Sequence, residues 1–268
     1  LIEYGSKRVI ITLTAIVCAL LEIVDTTIVN VALNDMKGNL GATTSEVGWV
    51  VTAYAIGNVI IIPLTSWLSM QFGRRNYFAA SIILFTICSF LCGNATTINE
   101  LIIFRFLQGV GGGALLVTSQ TIITESYPPE KRSMAQAIYG MGVIVGPTLG
   151  PPLGGYIVDN FTWPYIFYIN IPLGVIAALL TLQFVRSPKY GTKSSIRDID
   201  WLGIGLLAVF VGSLQYVLEK GQDDDWFNSS TIVVFIILAI LGGFFFIWRE
   251  WTAKNPVVQL RVLKNSNL

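Results

Sequence analysis

The sequence contains no histidine, so it lacks the commonest general base and the commonest metal ligand of proteins. Its three cysteines, Cys18, Cys88 and Cys92, all lie in apolar stretches, which predicts small packing residues and no disulfide framework. It also lacks a phosphate-binding loop of the form G-x-x-x-x-G-K-[ST]. We therefore expect no metal, no cofactor, no enzyme activity and no nucleotide as an energy source.

Charged residues are scarce as well. They make up 12% of the 268 residues, whereas hydrophobic residues make up 53%, and the mean hydropathy is +0.66. This composition excludes an ordinary soluble domain and is typical of a membrane protein with several spans. A net charge of +1 gives no electrostatic reason to expect nucleic acid as a partner, so the lipid bilayer is the expected environment.

Eight apolar stretches are long enough to span a bilayer, which takes about 20 residues each. They cover 9–33, 47–70, 77–94, 98–124, 134–158, 165–185, 201–219 and 231–249. Fourteen of the seventeen basic residues lie before the first stretch, in every second connection, or at and beyond the last residue of the eighth stretch. By the positive-inside rule, the N-terminus and the C-terminal end are then both cytoplasmic.

Three charged residues lie well inside these stretches, away from their ends: Glu22 and Asp25 in the first and Arg105 in the fourth. Asp25 and Arg105 lie at matched depth, about 10–12 Å below the outer surface at 1.5 Å per residue, which predicts a shared polar cavity. Ionisable groups at such depth are costly and commonly functional. Two neighbouring carboxylates do not both ionise easily, so Glu22 and Asp25 are predicted to carry protons under the influence of Arg105. The alternative is a static Asp25–Arg105 ion pair that only fixes helix packing.

Several polar and aromatic residues are candidates for contact with a substrate in that cavity. They are Tyr54, Asn58, Gln108, Gln120 and Tyr139. Gln108 follows Arg105 by about one helical turn, which predicts a hydrogen bond inside the cavity.

Glycine and proline mark three further segments. "RFLQGVGGGAL" at 105–115 has small residues spaced for close helix contact. "GMGVIVGPTLGPPLGG" at 140–155 adds prolines that bend a helix, which favours a kinked, tightly packed helix at a moving interface over a merely kinked structural one. "FGRRNY" at 72–77 is a tight basic turn, for which an ordinary topogenic loop is the alternative. The candidate residues for conformational change are Gly73, Arg74, Arg75, Gly146, Pro147, Gly150, Pro151 and Gly154.

These segments, in this order, resemble the major facilitator superfamily and, more narrowly, its fourteen-helix drug:proton antiporters of the EmrB/QacA type. "LEIVDTTIVNVAL" is similar to the first-span signature, with Asp25 as its aspartate, and "RFLQGVGGG" to the fourth-span motif, with Arg105 as its arginine. "GVIVGPTLGPPLGGYI" resembles the antiporter motif of the fifth span. "YPPEKRS", "WPYIFYINIPLG" and "GSLQYVLEKGQDDDWF" add to the resemblance.

One loop departs from the superfamily pattern. After span two, the superfamily usually has G-x-x-x-D-R-x-G-R-R/K, whereas this sequence reads "SWLSMQFGRR". Ser66, Met70 and Gln71 replace the glycine, the acidic residue and the first basic residue. This loop therefore lacks the acidic residue that helps to form the charge network of the superfamily.

The resemblance implies an all-α polytopic membrane protein with the major facilitator fold. Residues 1–190 would form an N-terminal six-helix domain of two inverted three-helix repeats. Residues 191–255 would form two extra transmembrane helices, and residues 256–268 would begin the connection to a missing C-terminal six-helix domain. The chain is thus expected to be a fragment.

The resemblance further implies proton-coupled antiport of small amphipathic or cationic drugs across the inner (cytoplasmic) membrane by alternating access, with the proton gradient as the energy source. In a cell with two membranes, it implies a periplasmic adaptor protein and an outer-membrane channel as partners. Two alternatives stay open: an exporter of the same fold for an endogenous metabolite, lipid or siderophore, and a non-transporting membrane subunit.

Overall fold

The computed structural model describes residues 2–187, 200–222, 224–253 and 256, and within these ranges the regular structure is entirely helical. The α-helices are α1 (Gly5–Leu40), α2 (Thr44–Phe72), α3 (Arg74–Gly93), α4 (Ile98–Ser126), α5 (Arg132–Asn160), α6 (Tyr165–Tyr168), α7 (Asn170–Phe184), α8 (Trp201–Lys220) and α9 (Ser230–Thr252). Short 3-10 turns cover Pro129–Lys131 and Trp226–Asn228.

Within the described residues, eight stretches are long and apolar enough to cross a membrane, and this confirms the number of spans that the sequence predicted. The single turn α6 and the helix α7 together form the sixth stretch, Tyr165–Phe184. α1 is 36 residues long and extends beyond its predicted span at both ends.

Part of the predicted domain division and orientation lies outside the described residues. This applies to residues 188–199, at the predicted boundary after the sixth span, and to residues 257–268 of the predicted connection. Six of the basic residues used to predict the orientation are outside the described residues as well: Lys189, Lys193, Arg197, Lys254, Arg261 and Lys264.

Local sequence signals account for the ends of several helices. α2 begins with a capping box, in which the Thr43 hydroxyl accepts a hydrogen bond from the Glu46 N–H and the Glu46 carboxylate accepts one from the Thr43 N–H at 2.7 Å. Helices α1 and α2 end at Gly41 and Gly73, whose φ angles of +62° and +81° are strained for any residue with a Cβ. The basic turn therefore needs Gly73 for its backbone conformation.

α1 and α4 are the two central helices. α1 packs against α4, α5 and α7, whereas α4 packs against α1, α2 and α3. The glycines of α4 allow the close contact that the sequence predicted: a Cβ at Gly109 would fall on the backbone of Tyr54 in α2, and one at Gly111 on the backbone of α3. This close approach brings the polar side chains of several helices into one cluster.

α5 contacts α1 through a row of glycines at every fourth position. A Cβ at Gly146, Gly150 or Gly154 would fall against the side chains of Ile23, Thr27 or Ile28 of α1. The three prolines of α5 lie on its exposed side, and the helix continues through them: Pro147, Pro151 and Pro152. The side of α5 away from α1 is thus an exposed apolar surface that includes Ile144, which is 70% exposed.

α8 and α9 pack against each other, and α8 also packs against α2. Near one end of this contact, the rings of Trp49 and Tyr216 stack with centroids 5.2 Å apart. Near the other end, Leu64 of α2, Leu207 of α8 and Phe246 of α9 form a small apolar cluster.

Candidate functional site: a buried polar cluster between five helices

The three charges predicted inside the spans are buried at the centre of the helix bundle. Asp25 is 0% exposed, Arg105 1% and Glu22 4%. α1 supplies both carboxylates from one face, since residues three apart lie on the same side of a helix. The polar cluster, as we call this region, consists of these residues, the polar side chains from α2, α4 and α7 that contact them, and Ser89 of α3, which contacts Gln108 and Asn170.

Asp25 receives hydrogen bonds at both carboxylate oxygens. Arg105 Nη1 donates to Oδ2 at 2.5 Å. Gln108 Nε2 and Asn170 Nδ2 donate to Oδ1 at 3.0 Å and 2.9 Å. The charge of Asp25 is therefore balanced by a guanidinium and solvated by two amides, as a buried carboxylate requires.

Arg105 is equally well satisfied. Its Nε donates to the main-chain carbonyl of Val50 at 3.2 Å, and Nη1 also donates to Gln108 Oε1 at 2.8 Å. The guanidinium carbon lies 4.1 Å from the ring centroid of Tyr54 and 5.7 Å from that of Phe167. Both distances allow a cation–π interaction. The arginine is thus fixed by three neighbouring helices.

Glu22 has a different environment. Its Oε1 accepts a hydrogen bond from Asn58 Nδ2 at 2.7 Å, whereas its buried Oε2 has no hydrogen-bond partner among the described residues. The ion pairs within that part of the chain do not include Glu22 either. One carboxylate of the pair is therefore compensated, and the other is not.

The residues predicted to line a cavity divide into two groups. Tyr54, Asn58, Gln108 and Tyr139 are buried, and the first three contact the charged groups directly. Tyr139 donates a hydrogen bond from its hydroxyl to the Leu116 carbonyl at 2.9 Å.

Gln120 is exposed and bonds to Gln136 at 3.2 Å, away from the charged residues.

The sequence predicted a shared polar cavity around Asp25 and Arg105, which it placed at matched depth. In the described residues the two side chains are in direct contact and almost fully buried. Gln108 and Asn170 lie against the carboxylate and provide hydrogen bonds of the kind that water would otherwise make.

Two members of the polar cluster were not found by sequence reasoning. Asn170 is at the start of α7 and bonds to Asp25, and Ser89 of α3 accepts hydrogen bonds from Gln108 at 2.7 Å and from Asn170 at 3.2 Å. The available signal was a polar residue within an apolar span, in "YINIPLG" for Asn170 and in "ILFTICSFLCG" for Ser89.

The basic turn after α2 makes its own ion pair. Arg74 forms a two-pronged ion pair with Glu125 near the end of α4, in which Nη2 donates to Oε1 at 2.9 Å. The side chain of Arg75 is exposed, and its main-chain N–H donates to the Ser187 hydroxyl at 3.1 Å. Although Met70 stands where the superfamily has an acidic residue, Glu125 supplies a carboxylate to this turn from another helix.

Comparisons with a family sequence pattern and with known proteins indicate the same family. The sequence pattern of the Major Facilitator Superfamily matches residues 15–249. The chain is 42% identical over 263 residues to the multidrug export protein EmrB of Escherichia coli K12, and it is 39% identical over 263 residues to the fatty acid resistance protein FarB of Neisseria gonorrhoeae. Each match covers 98% of this chain but only 51% and 52% of the relative, so the chain spans about half their length.

A solved structure supports the fold. The partially occluded inward-open xylose transporter XylE from E. coli superposes with a TM-score of 0.62. The match covers 92% of this chain and 72% of the transporter at 18% sequence identity, a level that indicates a shared fold alone.

Proposed function

The chain belongs to the Major Facilitator Superfamily and is a multi-pass membrane protein, and from this premise we propose that it works in proton-driven export of small amphipathic or cationic drugs. The observation that carries the proposal is the pair of buried carboxylates on α1: in the part of the chain that the structure describes, Asp25 has a cationic partner and Glu22 has none. A buried carboxylate without a cation costs several kcal/mol when ionised. Such a carboxyl group binds a proton when the helices pack tightly around it and releases the proton when the helices move apart and water reaches it.

Proton exchange at this position is coupled to transport if water reaches the polar cluster from alternate sides. In the proposed cycle, the inward-open state binds a drug when the carboxylate pair is less protonated. A proton from outside then neutralises the pair and weakens drug binding, and return to the inward state releases the proton to the cytoplasm. Each charge that crosses gains about 2.3 kcal/mol per 100 mV of membrane potential.

The proposed division of the chain follows the same premise. Residues 1–190 would form one six-helix domain and residues 191–255 two additional spans, with residues 256–268 leading to a second six-helix domain. The exposed apolar side of α5 would face that second domain. Without the second domain, this surface would be in contact with lipid. In this arrangement Gly146, Pro147, Gly150, Pro151 and Gly154 would shape the interface that moves.

The substrate class is inferred from the relatives. Several relatives are named for multidrug export or resistance. Two others are named for fatty acid resistance and colistin resistance, and this favours one second candidate, an exporter of amphipathic lipids. Tyr54 and Asn58 would contact the drug from α2, beside Glu22.

The cellular setting is part of the proposal too. We place the protein in the inner membrane with its N-terminus in the cytoplasm, on the basis of the basic residues in alternate connections. A periplasmic adaptor and an outer-membrane channel would complete the export route in a cell with two membranes.

Flux measurements on the full-length protein test the proposal. We expect liposomes that contain it to transport cationic dyes when a pH gradient is imposed, and to stop when an ionophore collapses the gradient. A long-chain fatty acid in the same assay separates the two substrate classes. Equal dye flux with and without the gradient would refute proton coupling, and absence of flux for every compound would support a non-transporting subunit.

A further inference from the structure

We propose that Glu22 alone carries the exchangeable proton and that Asp25 stays ionised throughout the cycle as the fixed partner of Arg105. This assignment rests on the proposed function and divides the roles of two carboxylates that the sequence could only treat as a pair.

The contacts of Asp25 favour its ionised form. Donors from Arg105, Gln108 and Asn170 point at its two oxygens, so a proton on either oxygen would face an N–H group rather than an acceptor. Loss of the negative charge would also leave the guanidinium of Arg105 buried without a counter-ion. Since arginine does not deprotonate in proteins, that charge has no other way to be neutralised.

The contacts of Glu22 accept either protonation state. The Asn58 amide donates to Oε1, and an amide N–H donates to the carbonyl oxygen of a neutral carboxyl as well as to a carboxylate. The buried Oε2 makes no well-formed hydrogen bond among the described residues, and the Leu116 main-chain N–H near the carboxyl group can donate to its neutral form as well. Glu22 can therefore be neutral in this packed conformation and ionise when water or a cationic drug reaches Oε2.

The other ionisable groups around Glu22 do not compensate its charge. Asp25 is one turn away on α1 and repels a second negative charge. Tyr54 of α2 and Tyr139 of α5 are close enough to interact electrostatically with Glu22, and Cys18 is close enough to interact with Tyr139. The two tyrosines and the cysteine are neutral near pH 7, so none of them provides a positive charge. The guanidinium that approaches from α4 is bound to Asp25.

Infrared difference spectroscopy on the full-length protein, combined with proton release in weakly buffered solution, tests this assignment. Addition of a cationic dye to the wild type is expected to remove the C=O band of a protonated carboxyl group and to release protons. Glu22→Gln should lose both signals, because an amide cannot ionise. Asp159→Asn at the exposed end of α5 is the matched control and should keep both.

Asp25→Asn separates the two carboxylates. The proposal requires the protonated-carboxyl band to be present in Asp25→Asn and absent from Glu22→Gln, even if both variants lose transport. If the Asp25→Asn variant does not fold, the double variant Asp25→Asn with Arg105→Gln, which removes both charges, is used in its place.

Two further outcomes distinguish failure of the Glu22 assignment from failure of the proposed function. A band that disappears in Asp25→Asn and persists in Glu22→Gln would overturn the assignment and leave proton-coupled export intact. A wild type that neither releases protons on dye addition nor responds to a pH gradient would overturn the proposed function itself.

Discussion

Arg105 Nη1 lies 2.5 Å from Asp25 Oδ2 at a position where neither side chain is more than 1% exposed. The two residues are 80 positions apart in the chain and belong to the two central helices, α1 and α4. Every hydrogen bond that surrounds the pair comes from a helix that packs on one of these two. The pair is therefore both an electrostatic centre of the bundle and a constraint on the relative position of its helices.

Neutralising one member of this pair should destabilise the protein strongly. Asp25→Asn leaves the buried guanidinium unpaired, which we expect to lower the free energy of unfolding by about 3–5 kcal/mol. Thermal unfolding of the full-length protein in detergent measures the loss. Asp25→Asn with Arg105→Gln removes both charges and should recover much of the stability, whereas equal loss in the single and the double variant would contradict an energetically coupled pair.

The glycine row of α5 gives a prediction with a control in the same helix. Gly150→Ala puts a Cβ on the side chain of Thr27 and should destabilise the contact of α1 and α5 by about 1–3 kcal/mol. Gly155→Ala meets no atom within 4 Å and should be neutral or slightly stabilising, because alanine favours the helix. Comparable unfolding temperatures for the two variants would show that the row does not determine packing.

Two buried tyrosines should respond differently to loss of the hydroxyl group. Tyr139→Phe removes a hydrogen bond to the Leu116 carbonyl and should cost about 1 kcal/mol. Tyr54→Phe removes a buried hydroxyl that makes no well-formed hydrogen bond among the described residues, with the Asn58 side chain near it, and keeps the ring against Arg105, so stability should change little. Dye affinity, measured by fluorescence, should fall in Tyr54→Phe if this hydroxyl contacts substrate. A large loss of stability in Tyr54→Phe would show that the hydroxyl has a structural partner.

The adjacent arginines of the basic turn provide another matched pair. Arg74→Gln breaks the ion pair with Glu125, whose side chain is 26% exposed, and should destabilise the protein by about 1 kcal/mol in low salt and less in high salt. Arg75→Gln alters an exposed side chain and should have little effect. Salt-dependent unfolding of both variants checks this. The charge reversal Arg74→Glu with Glu125→Arg should restore part of the lost stability. If Arg74→Gln and Arg75→Gln have equal effects, the turn has only a topogenic role.

The sequence predicted the spans and part of the polar cluster because those features depend on local patterns. Each apolar stretch of span length can be recognised from its own residues, without knowledge of its neighbours. The depth of Asp25 and Arg105 follows from counting residues along two helices. Asn170, Ser89 and Glu125 were missed because their roles depend on which helix faces come together. A single polar residue in an apolar span does not say toward which neighbour it points.

The two carboxylates illustrate the same limit. Glu22 and Asp25 are three residues apart and look equivalent in the sequence, since both interrupt the same apolar stretch. Their difference arises from α4 and α7, which bring three side-chain donors to Asp25, including the guanidinium, whereas the side-chain donor to Glu22 is the neutral Asn58 amide from α2. Charge balance at a buried site is a property of the packed bundle, so no spacing rule within α1 could have separated the two.

The contact of α8 with α2 near both of its ends has a practical consequence. With Trp49 stacked on Tyr216 at one end and Leu64 packed on Leu207 at the other, the α8–α9 hairpin cannot tilt relative to α2 without breaking one of these contacts. The hairpin should therefore travel with α2 as a rigid unit. A spin or fluorescent label on the exposed side of α9 would then report the motion of α2 from a distance, without any alteration of the residues around Glu22.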